Sequence, residues 1–269
     1  MFSVLLSVYI KEQTTYLRES LNSIFNQTLL PTEVILVKDG PLTNELNQVI
    51  EEYSLKYPIL KLIPLSKNQG LGKALNEGLK HCSCELVARM DTDDIAKPTR
   101  FERQIAIFEN HPKIDVVGAW IDEFEGSPNN IISTRKLPEN HADIYTFAKK
   151  RCPINHPVVM FRKSAVIAAG GYQHFPLFED YDLWIRMLRN GARFYNIPES
   201  LLFFRFSPDM FKRRGGWKYA KDEFRFQKKL FRSKFISIFC FIRNVSVRFI
   251  SRMLPNNLRS ILYKKVLRS

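Results

Sequence analysis

The residues with the clearest chemical meaning are Asp91-Thr92-Asp93-Asp94, which close the apolar stretch Leu86–Met90 with three carboxylates in four positions. Carboxylates gathered at one strand end repel each other unless a cation joins them. A hard divalent ion such as Mn²⁺ or Mg²⁺ prefers carboxylate oxygens and shares coordination with phosphates, so the group suits a metal that bridges to a diphosphate. Asp93 and Asp91 are the candidate ligands. The competing reading is a solvated turn in which Asp93 or Asp94 caps the helix starting near Pro98. A second carboxylate, Asp39, ends Val34–Lys38 and precedes Gly40-Pro41. It could accept hydrogen bonds from a ribose hydroxyl or a base N–H, or it could simply start the turn.

Glu179 and Asp180 stand just before a helical pattern that includes Trp184. They are either cap residues or a general base, whose pKa an adjacent like charge would raise. His156, between Asn155 and Pro157, is a candidate ligand or acceptor contact, with a purely structural role as the alternative. Arg213-Arg214-Gly215-Gly216 pairs two guanidinium groups with flexible backbone, which suits clamping a diphosphate, or it is only part of a basic tail. Gly70-Leu71-Gly72-Lys73-Ala74 fails as a phosphate loop: Lys67 lacks the required glycine and Ala74 replaces the Ser/Thr that would hold Mg²⁺. The helix N-terminus with Lys73 could still hold an anion.

The elements that must position these groups alternate along the first 120 residues. The patterning predicts strands at Phe2–Val8, Glu33–Val37, Ile59–Leu65, Glu85–Met90 and Ile114–Ala119. It predicts helices over Tyr16–Phe25, through Leu46, Val49, Ile50 and Tyr53, over Gly70–Lys80, and from Pro98 to Asn110. That alternation argues for an α/β fold with a mostly parallel central sheet flanked by helices, and ligands of such sheets bind beyond the carboxyl ends of the strands. Asp39 and Asp91–Asp94 fall at such ends. Residues 122–150 look irregular and suit an acceptor-facing insertion. Beyond them come Val158–Phe161 as a strand, Tyr181–Asn190 as a helix, and two short strands at Arg193–Ile197 and Leu201–Phe206.

Charge divides the chain. The net +14 lies wholly in the last part: Arg205 to Ser269 holds 18 Lys/Arg against 3 Asp/Glu, and no acid follows Glu223. Such a segment seeks an anionic surface. Its Phe, Ile and Leu content favours lipid over nucleic acid, and its longest apolar run is too short to span a bilayer, so an in-plane amphipathic helix is expected. Four scattered cysteines suit reduced thiols in a cytoplasmic protein, and the opening residues lack a signal-peptide pattern. The expected organisation is one α/β domain over 1–205, in two parts at 1–120 and 121–205. A basic helical tail over 206–269 would hold the protein on the inner face of the cell membrane.

Taken in order, Leu6-Ser7-Val8-Tyr9, Gln27-Thr28, Val37-Lys38-Asp39-Gly40, Asn68-x-Gly70, Asp91-Thr92-Asp93-Asp94 and Glu179-Asp180-Tyr181-Asp182-Leu183-Trp184 make residues 2–205 resemble the inverting family 2 glycosyltransferases of GT-A fold. The likeness is strongest to the bacterial branch that builds O-antigen and exopolysaccharide units. The resemblance implies donor contacts from Ser7, Tyr9, Asp39, Asn68 and Lys73, with Asp91 on the ribose or donor sugar and Asp93 on Mn²⁺ or Mg²⁺. It implies Asp180, or else Glu179, as the base, with His156 and Trp184 toward the acceptor. Arg213 and Arg214 stand in for a product-diphosphate motif that has no exact match. The implied donor is a UDP-sugar and the implied acceptor a saccharide on a polyprenyl diphosphate. A nucleotidyltransferase would need a glycine-rich basic loop where Val8–Glu12 stands. A D-x-D-x-T phosphatase is disfavoured by Ile95, and a non-catalytic membrane adaptor leaves the carboxylate clusters unexplained.

Overall fold

The computed structural model describes residues 1–206 and 216–253, with side chains through Phe249. Strands β1 (Phe2–Val8), β2 (Glu33–Lys38), β3 (Leu60–Pro64) and β4 (Leu86–Arg89) alternate with helices α1 (Thr14–Phe25), α2 (Asn44–Lys56) and α3 (Leu71–His81). β1 and β2 are almost continuously apolar because the sheet is covered on both faces. In β1 the pleat sends Leu5 to one core and Val4, Leu6 and Val8 to the other. Helix α1 presents Leu17, Leu21, Ile24 and Phe25, one stripe at helical spacing, to the second of these cores. Helices α2 and α4 (Arg100–Asn110) join it there, and α3 lies on the opposite face.

The four strands pair in parallel, in the order β3-β2-β1-β4. From there the sheet continues through β8 (Met160–Arg162), β6 (Val116–Phe124), β9 (Phe194–Arg205) and β5 (Ile95–Ala96), with β7 (Ile131–Arg135) beside β6. β8 is antiparallel to both neighbours, while β6 and β9 run parallel. The sheet is therefore parallel in its first half and mixed in its second. Strand–helix alternation along a chain establishes the elements but not which strands meet. β8, a three-residue strand far along the sequence, inserts between β4 and β6.

Three local expectations change. The strand after α4 extends to Phe124. Residues 122–150 are ordered as the end of β6, β7 and α5 (His141–Ala148), so they are not an irregular insertion. The two short strands expected over 193–206 form the single strand β9, whose register against β6 shifts around Trp120. Pro198 within it has no N–H to give the ladder, and such irregularities tolerate proline.

Helices α6 (Lys163–Ala168), α7 (Glu179–Arg189) and α8 (Gly216–Arg232) cover the α3 face, and α9 (Ile238–Met253) pairs with α8. The boundary expected at residue 205 does not separate core from tail. Tyr219, Phe226, Leu230, Phe235 and Ile236 are buried in the same cluster as Trp184 and Phe161. Phe226 stacks on Phe178 at 5.0 Å, and Lys229 pairs with the buried Asp182. Among the described residues no helix is long and apolar enough to cross a membrane.

Candidate active site

After β1 the chain builds β2 and β3 to one side and then returns to place β4 on the other. The reversal opens a crevice at the carboxyl ends of β1 and β4, the general ligand position of open α/β sheets. Half-buried Ser7 and exposed Tyr9 stand at the end of β1, and Asp91–Asp94 follow β4.

Asp39 ends β2 and is buried. One carboxylate oxygen accepts the Gln69 N–H at 2.7 Å and the other the Gly70 N–H at 3.0 Å, while Asn68 Nδ2 donates to the Asp39 carbonyl at 3.3 Å. Asp39 thus holds the loop at the start of α3 in place. The next residue must be glycine: Gly40 has φ +89°, and a Cβ there would lie 2.5 Å from the Asn68 nitrogen. Lys73, in the first turn of α3, is exposed.

The acidic group is tied down from several sides. The ligand oxygens of Asp91, Asp93 and Asp94 lie within 4.8 Å of one another. Asp91 is gripped by both terminal nitrogens of Arg89, at 2.8 Å through Nη1. Arg89 is 1% exposed, and its carbonyl receives Nη2 of the buried Arg100 at 2.6 Å. Helix α1 fastens the loop through Ser20 Oγ to the Asp91 carbonyl (3.1 Å) and Ser23 Oγ, which accepts the Ala96 N–H (3.0 Å). Thr92 donates to Glu12 at 2.6 Å. Asp94 is fully buried: one oxygen accepts the Arg205 N–H at 2.8 Å, and the other has no partner. The helix-cap alternative fails, because α4 is preceded by Thr99 and no side chain caps it.

Burial and the neighbouring charges of Asp91 and Glu12 push Asp93 up to about 7, and burial with Asp93 and Asp91 raises Asp94 well above the ordinary range. Three crowded carboxyls, two raised toward neutrality and one carrying an orphaned oxygen, are a donor set that fits a hard divalent cation. Asp94 belongs with this group although the sequence singled out only Asp91 and Asp93.

The second acidic pair lies in the first turn of α7. Phe178 occupies the cap position without a side-chain bond, so neither Glu179 nor Asp180 is a cap. Glu179 is raised by burial, with the charge of Asp180 adding to it. Asp180 Oδ2 receives the Cys152 thiol at 3.7 Å. The α7 turn lies against α3, where a Cβ on Gly72 would meet Glu179 Cγ at 3.5 Å, and the Tyr172 phenol, raised first by burial, feels the charges of both Asp180 and Asp91. Asn76 in α3 locks Tyr172 by bonds to its carbonyl (2.7 Å) and N–H (2.8 Å).

His156 Nε2 lies 2.9 Å from the Tyr172 hydroxyl, and burial with the charge of Arg89 holds the imidazole well below its usual pKa, hence neutral. Trp184, expected to touch the acceptor, is 0% exposed and packs among Phe161, Phe194 and His156. That expectation is corrected: the indole backs the histidine and cannot reach a ligand. Arg213 and Arg214 lie outside the described residues. Arg89, Tyr172 and Arg205 escaped the sequence reading. Only Arg89 carried a signal, as a charge inside an otherwise apolar strand.

This arrangement has counterparts. The family described as Glycosyl transferase family 2 matches residues 3–168, and Glycosyl transferase family group 2 matches 86–259. The chain is 41% identical over 267 residues to an Escherichia coli protein named UDP-Gal:alpha-D-GlcNAc-diphosphoundecaprenol beta-1,3-galactosyltransferase, covering 99% of this chain and 96% of that one. It is also 41% identical over 270 residues to the amylovoran biosynthesis glycosyltransferase AmsE of Erwinia amylovora, covering 98% of each. Among solved structures it resembles the mannosyltransferase PcManGT of Pyrobaculum calidifontis in complex with GDP-Man and Mn²⁺ (TM-score 0.65, 16% identity, 96% of this chain and 71% of that one). It also resembles Staphylococcus aureus TarS (TM-score 0.60, 21% identity), covering 99% of this chain but only 43% of TarS. With its GT-A fold and the match over most of its length, this chain belongs to glycosyltransferase family 2.

Proposed function

We propose that the chain is a metal-dependent inverting transferase that moves a hexose or N-acetylhexosamine from a UDP-sugar to a saccharide on a polyprenyl diphosphate. UDP-galactose and UDP-glucose are the favoured donors. The product would carry a β-glycosidic bond in O-antigen or exopolysaccharide assembly. The observation that carries this reading is the Asp91–Asp93–Asp94 group after β4, whose ligand oxygens lie within 4.8 Å of one another, in a chain that also sets the Glu179–Asp180 turn against α3. The group has the donors for a diphosphate-bound cation and the turn a base. The name of the 41% identical Escherichia coli galactosyltransferase supports the donor and the acceptor class.

Ser7, Tyr9, Asp39, Asn68 and Lys73 line the nucleotide side, with Arg213 and Arg214 as the proposed clamp on the departing diphosphate. Asp93, with Asp91 and Asp94, would hold Mn²⁺ or Mg²⁺, which when bound offsets negative charge on the diphosphate. Asp180, with Glu179 as the second candidate, accepts the proton of the acceptor hydroxyl. That oxygen then bonds the anomeric carbon from the face opposite the leaving diphosphate, and the bond to the diphosphate breaks with inversion from α to β. Donor and base are held before reaction, so little reorganisation is needed when charge develops. The basic α8–α9 region supports attachment to the inner face of the membrane, where such an acceptor resides.

The test is release of UDP and transfer of sugar from a panel of UDP-sugars to a synthetic sugar-diphosphate-lipid, in Mn²⁺ and in EDTA. Metal-dependent turnover of one donor is expected. No turnover of any donor, with no UDP binding by calorimetry in Mn²⁺, sinks the reading.

A further inference from the structure

Sugar transfer leaves the groove between α8 and α9 unused. It has a volume of about 290 Å³, and Trp217, Ala220, Phe224, Val245 and Phe249 supply its apolar walls. The rings of Trp217 and Phe249 meet edge to face at 5.9 Å. Its own lining leaves large apolar side chains in water, with Trp217 65%, Phe224 44% and Phe249 44% exposed. Contiguous exposed patches of this kind mark binding surfaces.

The charges are sorted as well. Both acids of the hairpin, Asp222 and Glu223, are buried and paired, with Arg225 at 3.0 Å and with Arg248 respectively. Lys218, Lys221, Lys228 and Arg243 face solvent. An apolar slot lined by Lys221, which forms no ion pair among the described residues, complements an amphiphile with a hydrocarbon chain and an anionic head.

The groove is also built onto the base side of the active site. Asn244 Nδ2 donates to the Lys149 carbonyl at 2.8 Å, Cys240 Sγ donates to the same oxygen at 3.4 Å, and Arg248 donates to the Lys150 carbonyl. Two residues further on, Cys152 donates to Asp180. From the other helix, Phe226 packs on Phe178 and Tyr181, the residues flanking Glu179 and Asp180, at 5.0 and 4.8 Å. The hairpin that forms the groove thus packs directly behind the turn that carries Asp180.

We infer that the groove receives the isoprenoid chain of the lipid-linked acceptor, at the stretch next to its diphosphate, with Lys221 on the rim facing that anion. This rests on the acceptor class proposed above. The volume lies just under the usual range of small-molecule pockets, so the groove holds a short length of chain and the remainder stays in the bilayer. Bilayer acyl chains share the chemistry, but nothing ties them to Asp180, whereas the acceptor must approach it.

The test uses the full chain in detergent micelles with two acceptors of identical sugar-diphosphate head, one bearing a long isoprenoid chain and one an ethyl group. The variants are Trp217→Ser and Phe249→Ser, both at exposed positions that leave the core intact. The long-chain KM should rise on the order of tenfold, as expected for one lost aromatic contact, with kcat and the ethyl-acceptor KM unchanged. Equal effects on both acceptors, or on neither, overturn the inference. So does loss of pelleting with anionic phospholipid vesicles while chain preference in micelles persists, since that outcome puts bilayer lipid in the groove. Turnover of the ethyl acceptor by the parent shows separately that the transferase reading stands. No turnover of either acceptor by the parent removes both.

Discussion

Replacing Arg89 with methionine keeps the length of the side chain but deletes the guanidinium that grips Asp91. Arg89 is 1% exposed, whereas Asp91 is 30% exposed. Removing one partner of a fully buried ion pair costs about 3–5 kcal/mol, chiefly because the other charge is stranded. Here Asp91 partly reaches water, and the neighbouring Arg100, pushed down to about 9 by burial and then by Arg89, is relieved. About 2 kcal/mol is the expected net loss, a fall of roughly 4–8 °C in Tm for a chain of this size. The sign reverses for the metal. With the guanidinium gone, three carboxylates attract a cation with less opposition, so added Mn²⁺ should raise Tm further in Arg89→Met than in the parent. Thermal unfolding by circular dichroism, with and without Mn²⁺, measures both effects, and UDP-sugar hydrolysis should fall because Asp91 is no longer held. An unchanged Tm without metal, or a smaller Mn²⁺ shift than the parent shows, would refute this account of the buried charges.

Asp180→Asn should lower kcat by about 10²–10⁴ with little change in donor KM, and Glu179→Gln should lower it less; the opposite ranking would hand the base role to Glu179. Trp184→Ala should cost about 3–5 kcal/mol in urea unfolding, while Trp184→Phe keeps the acceptor KM; a raised KM with intact stability in Trp184→Phe would mean that the indole meets the acceptor after all. Glu33 is buried, which opposes ionisation, but Lys61, Ser3 and Ser83 outweigh this and hold its carboxyl at about 2, below the ordinary 4.5. Its contribution is fully present above the unfolded value near 4.5 and is lost as pH falls toward 2, about 3 kcal/mol in all. Glu33→Gln should therefore be less stable at pH 7 and lose less stability on acidification than the parent; equal slopes between pH 5 and 2.5 would count against it.

Residue order alone determined the alternation of β1 to β4 with their helices, because apolar period and length distinguish strand from helix locally. It also determined that carboxylates fall at the ends of β2 and β4, and that the cations gather in the last quarter of the chain. The family resemblance was legible for the same reason: its motifs are short segments, each contained in one strand end or one helix start. Strand partners were a different matter. Nothing in Met160–Arg162 says that it will lie antiparallel between β4 and β6, since pairing is set by what the whole chain can bury at once. Trp184 reads the same on a helix whether its face meets solvent or core, and only the packing of α7 on β8 and β9 settled that it is buried. Arg89 and Asp94 gain their meaning from burial, which crowds charges, shifts their protonation and leaves one oxygen without a partner. The basic tail was visible as composition, but its division into a helix that joins the core and one that forms a groove with it depended on which aromatic residues found Phe178 and Tyr181. Local patterns identify elements and end-of-strand chemistry, whereas pairing, burial and the pKa values that follow are properties of contacts between residues distant in sequence.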